Sequence, residues 1–105
     1  MAHIEKIPVC PDRVRTVPHG FSWVDHRLVR EHYIEKCSHA ALALYLFVVT
    51  VSDARGLSWW SERSLAARLG METDRVRQAR AELQAAELVA YEHPVWQVLP
   101  LKGGA

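Results

Sequence analysis

The stretch "SLAARLGMETDRVRQARAEL", Ser64 to Leu83, decides the fold of this chain of 105 residues. Apolar side chains recur at helical spacing on both sides of Gly70. Before it, a helix is predicted from about Glu62 to Leu69, with Leu65, Ala66 and Leu69 as its apolar positions. After it, a second helix is predicted from Asp74 to about Ala86, with an inward stripe of Val76, Ala79, Leu83 and Ala86.

The small residues of this stretch specify how the two helices meet. Ala66 lets the second helix come close, and Gly70 suits the left-handed backbone that ends the first helix. Ser61 and Thr73 are the predicted N-terminal caps of the two helices. Two helices joined by such a short turn are typical of a helix-turn-helix.

The elements predicted before this pair are mainly helical. Asp25 caps a short helix from about His26 to Glu35, and Ser38 caps a longer one that Gly56 can end. The longer helix is apolar on nearly every side, which predicts a buried position. A brief strand follows at Leu57 to Trp60. Its tryptophans are expected in the core and at the base of a hairpin, with stacking on bases as the alternative.

The last part of the sequence, "LVAYEHPVWQVLPL", predicts two strands joined near His93-Pro94. The pair is apolar on both faces in places, so it is expected to be covered on both sides. We therefore predict one domain at residues 23–101, preceded by an extended arm at 1–22 and followed by a flexible tail at 102–105.

Together these elements resemble the winged helix-turn-helix modules of bacterial MarR-like regulators and of plasmid and mobile-element replication initiators. The resemblance covers about Ser38 to Leu99 and depends on "SLAARLGMETDRVRQARAELQAAELV", which leads from a helix pair into a strand. It implies a mainly α fold with a small β-hairpin. It also implies sequence-specific binding to double-stranded DNA, in transcriptional regulation or as a replication or mobile-element accessory factor.

The resemblance makes the helix from Asp74 to Ala86 the recognition helix. Arg77 and Gln78 then face outward, where they can pair with guanine and adenine. Arginines on both helices can hold phosphates. The predicted DNA-binding residues are Thr73, Asp74, Arg75, Arg77, Gln78, Arg80, Ala81, Arg63 and Arg68.

The charge of the chain leaves other interpretations open. Thirteen basic and twelve acidic residues give a net charge of +1, which argues against non-specific coating of nucleic acid. The arginines could simply keep a helix hydrated. The predicted hairpin has no Arg or Lys between Val89 and Leu101, so its contact with DNA is doubtful. The alternative function is a protein-interaction module, acting as a subunit or adaptor in a larger complex.

A homodimer is a further expectation, because it would double the phosphate contacts and match a palindromic site. The candidate dimer surfaces are the arm and the apolar helices around Tyr33 and Tyr45. Two other roles are open to the arm. Its Arg13 and Arg15 could enter a minor groove of DNA, or the whole arm could be a solvated tail.

No other chemistry is predicted. Six histidines and two cysteines form no CxxC pair and no clear metal set, and no catalytic or cofactor motif occurs, so we expect no enzyme activity. The longest apolar run, Ala40 to Val51, is far shorter than the ~18 residues of a membrane span. With no apolar signal segment, a cytoplasmic protein with reduced thiols is expected.

Overall fold

A computed structural model describes residues 4–102 of the chain. In this part the protein combines helices with one small antiparallel sheet, which confirms the mainly helical prediction at that level. Short 3-10 turns lie at Pro11–Arg13 and Ile34–Lys36. The elements are α1 (Arg27–Arg30), α2 (His39–Val51), β1 (Leu57–Trp59), α3 (Glu62–Leu69), α4 (Thr73–Ala85), β2 (Val89–Glu92) and β3 (Val95–Val98).

Helix α2 forms the centre of the core, as its all-round apolar character predicts. It packs against α3, α4 and β3. Leu44 on α2, Leu65 on α3 and Leu83 on α4 are all 0 % exposed, and Trp96 on β3 is 1 % exposed. Burying a large apolar side chain contributes about 1.5–3 kcal/mol, so these side chains hold the helices and the sheet together.

The first two helices differ in length from the prediction. Helix α1 ends at Arg30, well before Glu35, because His32 has a left-handed backbone with φ of 63° that a helix cannot contain. The carboxylate of Asp25 does serve the start of this helix, since its Oδ1 accepts a hydrogen bond from the Arg27 N–H at 2.8 Å. His26 is the residue that directly precedes the helix.

Helix α2 begins as predicted and ends early. Ser38 Oγ accepts a hydrogen bond from the Ala41 N–H at 3.2 Å, which confirms the cap. The helix stops at Val51, however, because Asp53 closes a turn onto Leu57: its N–H donates to the Leu57 carbonyl and its Oδ1 accepts from the Leu57 N–H. Gly56, with φ of 83°, therefore leads the chain into β1 and does not end the helix.

The turn between α3 and α4 follows the prediction closely. Ser61 Oγ accepts from the Ser64 N–H at 3.1 Å, and Gly70 takes the left-handed conformation with φ of 66°. The Thr73 cap is wrong by one residue: α4 begins at Thr73, and Glu72, with extended backbone, precedes it. Only Met71 and Glu72 separate Gly70 from the start of α4 at Thr73, so the turn between the two helices is short.

In the sheet, β3 lies between β1 and β2 and pairs antiparallel with both. Helices α2 and α4 cover one face, where Val89 and Trp96 are buried. The prediction that the hairpin is covered on both sides is wrong, because no described element packs on the other face. There Trp59 is 68 % exposed and its cross-strand partner Val95 is 41 % exposed.

Two other expectations about surfaces can be compared with the structure. Tyr45 is buried and Tyr33 is partly buried against the core, whereas Val29 on α1 and Leu46 on α2 are exposed, so a dimer surface on these helices stays a prediction. Residues 4–22 are exposed throughout, and Lys102 is the only described residue of the predicted tail. No helix within residues 4–102 is long and apolar enough to cross a membrane.

Candidate nucleic-acid interface

Helix α4 separates its two faces as the sequence predicts. Val76, Ala79 and Leu83 are completely buried against α2 and α3. The side chains expected to face outward are exposed, and they are Asp74, Arg77, Gln78 and Ala81. The N-terminal half of α4 therefore offers a row of polar groups to a partner.

Arg77, the predicted guanine reader, is held by two carboxylates. Its Nε donates to Glu62 Oε1 at 3.0 Å, and its Nη1 donates to Asp74 Oδ1 at 2.7 Å. The side chain is still 52 % exposed. Arg77 is thus accessible, and these bonds use two of the five N–H donors of its guanidinium, so further donors remain for a nucleic-acid base.

Arg80 is held more firmly than Arg77. Its Nη1 donates to Glu62 Oε2 at 2.8 Å, and its guanidinium lies 4.4 Å from the centroid of the Tyr91 ring. Only 18 % of the side chain is exposed. Arg80 therefore ties α4 to α3 through its Nη1 and to β2 through its contact with the Tyr91 ring.

Glu62 serves both arginines at once. The hydrogen bond from Arg80 is the main cause that lowers the pKa of the Glu62 carboxyl; partial burial opposes it, and the hydrogen bond from Arg77 adds to it. A charged Glu62 is therefore favoured near neutral pH, where it neutralises part of the positive field of α4.

Arg75 points toward the start of α2. Its Nη2 donates to Ser38 Oγ at 2.9 Å and its Nη1 to Gln78 Oε1 at 3.1 Å, with Glu82 at 3.6 Å. Glu82 in turn accepts from the Ser38 N–H at 2.7 Å, which is the main cause of its lowered pKa. This cluster fixes α4 against α2, so Arg75 has a structural role beside any contact with phosphate.

The two arginines of α3 differ in their surroundings. The Arg68 guanidinium lies 5.7 Å from the ring centroid of Phe47 and 5.5 Å from that of Trp60. Arg63 has no ion pair or aromatic contact within residues 4–102. Together with Thr73, Arg63 lines a shallow groove of about 480 Å³ beside the turn.

Of the predicted residues, the structure brings Arg77 and Arg80 together on Glu62, and Arg63 and Thr73 together beside the groove. Arg75 instead turns toward Ser38, and Arg68 toward Phe47 and Trp60. The structure also adds partners that the sequence does not predict. Glu62, Glu82, Ser38 and Tyr91 all lie on other elements or a turn or more away, and local spacing gives no signal for such contacts. The Asp74–Arg77 and Arg75–Gln78 pairs, each three residues apart on one helix, are the ones that spacing can predict.

Other kinds of site find little support in the described part of the chain. Residues 4–102 contain no group of three or more His, Cys, Asp or Glu side chains arranged to hold a metal ion. Cys10 and Cys37 are free thiols, and burial is the main cause that raises the pKa of Cys37. A thiol with a raised pKa is a poor nucleophile at neutral pH.

Searches against models of protein families, against curated proteins and against solved structures each give no match to this chain. The function is therefore inferred from the fold and from the geometry of the α3–α4 surface.

Proposed function

We propose that this chain is a winged helix-turn-helix protein that binds double-stranded DNA sequence-specifically, with α4 as its recognition helix. The observation that carries the proposal is the exposed row on the N-terminal half of α4, behind which three buried side chains fix the helix against the core. In this proposal α3, the Gly70 turn and α4 are the helix-turn-helix. The sheet of β1, β2 and β3 is the wing.

Base recognition in this proposal belongs to Arg77 and Gln78. The N-terminal residues of a recognition helix contact base edges, and arginine and glutamine pair with guanine and adenine. Arg77 meets the guanine acceptors beside Asp74 and Glu62, which accept hydrogen bonds from its Nη1 and Nε. These two carboxylates repel phosphates, so the arrangement favours binding to a matched sequence over non-specific binding.

Phosphate contacts in this proposal come first from Arg63 and Arg68 on α3, which hold no carboxylate within residues 4–102. Arg75 and Arg80 are largely engaged inside the chain. The β2–β3 hairpin has no Arg or Lys between Val89 and Leu101, so it contributes little positive charge to DNA binding.

The test begins with selection of a duplex from a randomised double-stranded pool. Its binding is then measured by fluorescence anisotropy over a series of salt concentrations. We expect Arg77→Ala and Gln78→Ala each to weaken binding by about tenfold, since a good base pair contact contributes roughly 1–3 kcal/mol. Arg30→Ala, which removes an exposed arginine of α1, is the matched control and should change affinity little.

If no duplex is enriched, and if binding is absent at low salt, the proposal fails. Equal losses for Arg77→Ala and Arg30→Ala would also contradict it, because net charge alone would then explain the binding.

One observation favours a second function, that of a protein-interaction module. Residues 61–87 contain five arginines and five acidic side chains, so the α3–α4 region carries no net formal charge. In this case α4 would bind a protein whose surface charges are complementary to those of α4. Recovery of one stoichiometric protein partner, together with no binding to the selected duplex at low salt, would favour this function over DNA binding.

A further inference from the structure

The N-terminal arm, here residues 4–22, is apolar and yet exposed. Six large apolar side chains of the arm are between 62 % and 97 % exposed: Ile4, Ile7, Val9, Val14, Val17 and Phe21. The radius of gyration is 16.0 Å, whereas a compact chain of this length has about 13 Å. The arm therefore extends away from its own domain with its apolar side chains uncovered.

The apolar residues of the arm are spaced as in an extended, proline-containing peptide ligand. Ile4 and Ile7 are three residues apart, as are Val14 and Val17, and three prolines interrupt any regular pairing. Val14 has φ of −67° and ψ of 124°, close to polyproline II. A polyproline II segment has three residues per turn, so such a spacing places these side chains along one edge.

A surface of matching character is the outer face of the sheet, which consists of the half-buried Leu57 and the exposed side chains of Trp59, Ala90, Glu92, Val95 and Gln97. Trp59 and Val95 are directly paired across β1 and β3 and form its apolar centre. Aromatic side chains on a sheet are a common platform for polyproline-like segments.

Charge also matches between the two surfaces. The arm carries Lys6, Arg13 and Arg15 against Glu5 and Asp12. The segment from Val89 to Leu101 has Glu92 as its one acidic residue and no Lys or Arg. The arm is therefore slightly basic and the outer face of the sheet slightly acidic.

We propose that the arm of one copy lies across the outer face of the sheet of a second copy, and that the contact is reciprocal. A face of three short strands is only about 10–15 Å across, which is the length of about five extended residues, so the part of the arm that crosses it is a stretch such as that from Val14 to Pro18. Two such stretches and the two faces they cover then bury of the order of 1,000 Å², which corresponds to a small interface and a weak dimer. This association does not depend on the proposed DNA binding.

The test is the mass of the full chain in solution, measured by sedimentation equilibrium without DNA. We expect a dimer for the wild type. The double variant Val14→Asp, Val17→Asp and the single variant Trp59→Thr should each raise the dimer dissociation constant at least tenfold. Because all three side chains are exposed, circular dichroism should show both variants folded. Val29→Asp, which changes an exposed valine of α1, is the matched control and should remain a dimer.

Mixing the two variants distinguishes arm-on-sheet contact from contact between two arms. The arm variant retains its outer sheet face and the Trp59 variant retains its arm, so a mixture can form one intact contact and should give a heterodimer of intermediate affinity. If the wild type stays monomeric at a concentration of about 100 µM, the proposal is overturned. A dimer that survives either variant, or a mixture that shows no association, also overturns it.

Discussion

Glu62 on α3 accepts a hydrogen bond from Arg80 on α4 at 2.8 Å, and the same arginine lies against the Tyr91 ring on β2. One carboxylate and one guanidinium thus join α4, the proposed recognition helix, to α3 and β2. The second oxygen of Glu62 holds Arg77, which is the residue proposed to meet a base. Glu62 therefore determines how much of the positive charge of Arg77 and Arg80 remains available to a partner that binds α4.

Removing the Glu62 charge should strengthen DNA binding. In Glu62→Gln, Arg77 and Arg80 lose a competing carboxylate and the surface gains one positive charge. We expect affinity for the selected duplex to rise by about tenfold, with a salt dependence steeper by about one released counterion. Anisotropy over a salt series measures both quantities.

Glu72→Gln is the matched control, because it makes the same change in net charge at an exposed residue that holds neither arginine. An equal rise for both variants would show that only net charge matters. Weaker binding in Glu62→Gln would show that the carboxylate positions the arginines for DNA.

The contribution of Glu62 to stability should depend on pH. Its pKa lies below the ordinary value of 4.5, mainly because Arg80 donates a hydrogen bond to it. A carboxyl group with a lowered pKa in the folded state stabilises the fold above its unfolded-state pKa, and the contribution disappears as the pH falls through the folded-state pKa. Wild type should therefore exceed Glu62→Gln in free energy of unfolding above pH 4.5 and lose this advantage below it.

Urea denaturation from about pH 6 to about pH 2 measures this difference. Asp25→Asn is a useful comparison, since the hydrogen bond from Arg27 lowers the pKa of Asp25 to about 2. The Asp25 contribution should be lost only as the pH falls toward about 2. A Glu62 difference that does not change with pH would contradict the ion pair with Arg80.

Two glycines with left-handed backbone should respond differently to alanine. Gly70→Ala meets no atom within 4 Å, so its cost should be the backbone strain alone, about 1–2 kcal/mol. In Gly56→Ala the new Cβ would lie 2.9 Å from the Val98 carbonyl oxygen, in addition to the same strain. We expect Gly56→Ala to lower the free energy of unfolding clearly more than Gly70→Ala in denaturant titrations. The reverse order would mean that β1 and β3 do not meet as described.

Adjacent alanines of α3 test the close packing of the helix pair. Ala66 is 9 % exposed at the contact with the rest of the core, while Ala67 faces solvent. Ala66→Leu should overfill the interface and cost about 1–3 kcal/mol in free energy of unfolding, measured by thermal or urea denaturation. Ala67→Leu should stay within about 0.5 kcal/mol of the wild type. Similar values for both would contradict the position of α3 against α4.

The sequence predicts the helix pair well because its signals are local. Ser61 and Gly70 act within one turn of the chain, and the stripe of α4 depends only on helical period. The errors occur where backbone conformation or distant packing decides. Helix α1 ends early because His32 has a left-handed backbone conformation, and a histidine at this position does not by itself predict that conformation.

The exposed outer face of the sheet was missed for a different reason. The alternating pattern of the sequence includes Trp59 and Val95 as apolar strand residues, but it does not show whether one face or both faces of a three-stranded sheet are covered by other elements. In the same way, the exposure of Arg77 and Gln78 follows from helical period, whereas the carboxylates that hold the arginines depend on where α3 lies against α4.

The most direct test of the central claim is an NMR titration of the ¹⁵N-labelled full chain with the selected duplex. We expect the largest chemical-shift changes at the amides of residues 73–81 and at the Arg77 Nε–H, which donates to Glu62 in the absence of DNA. Smaller changes are expected around Arg63. Changes confined to the arm and the outer sheet face, or no change at low salt, would contradict α4 as the surface that binds DNA.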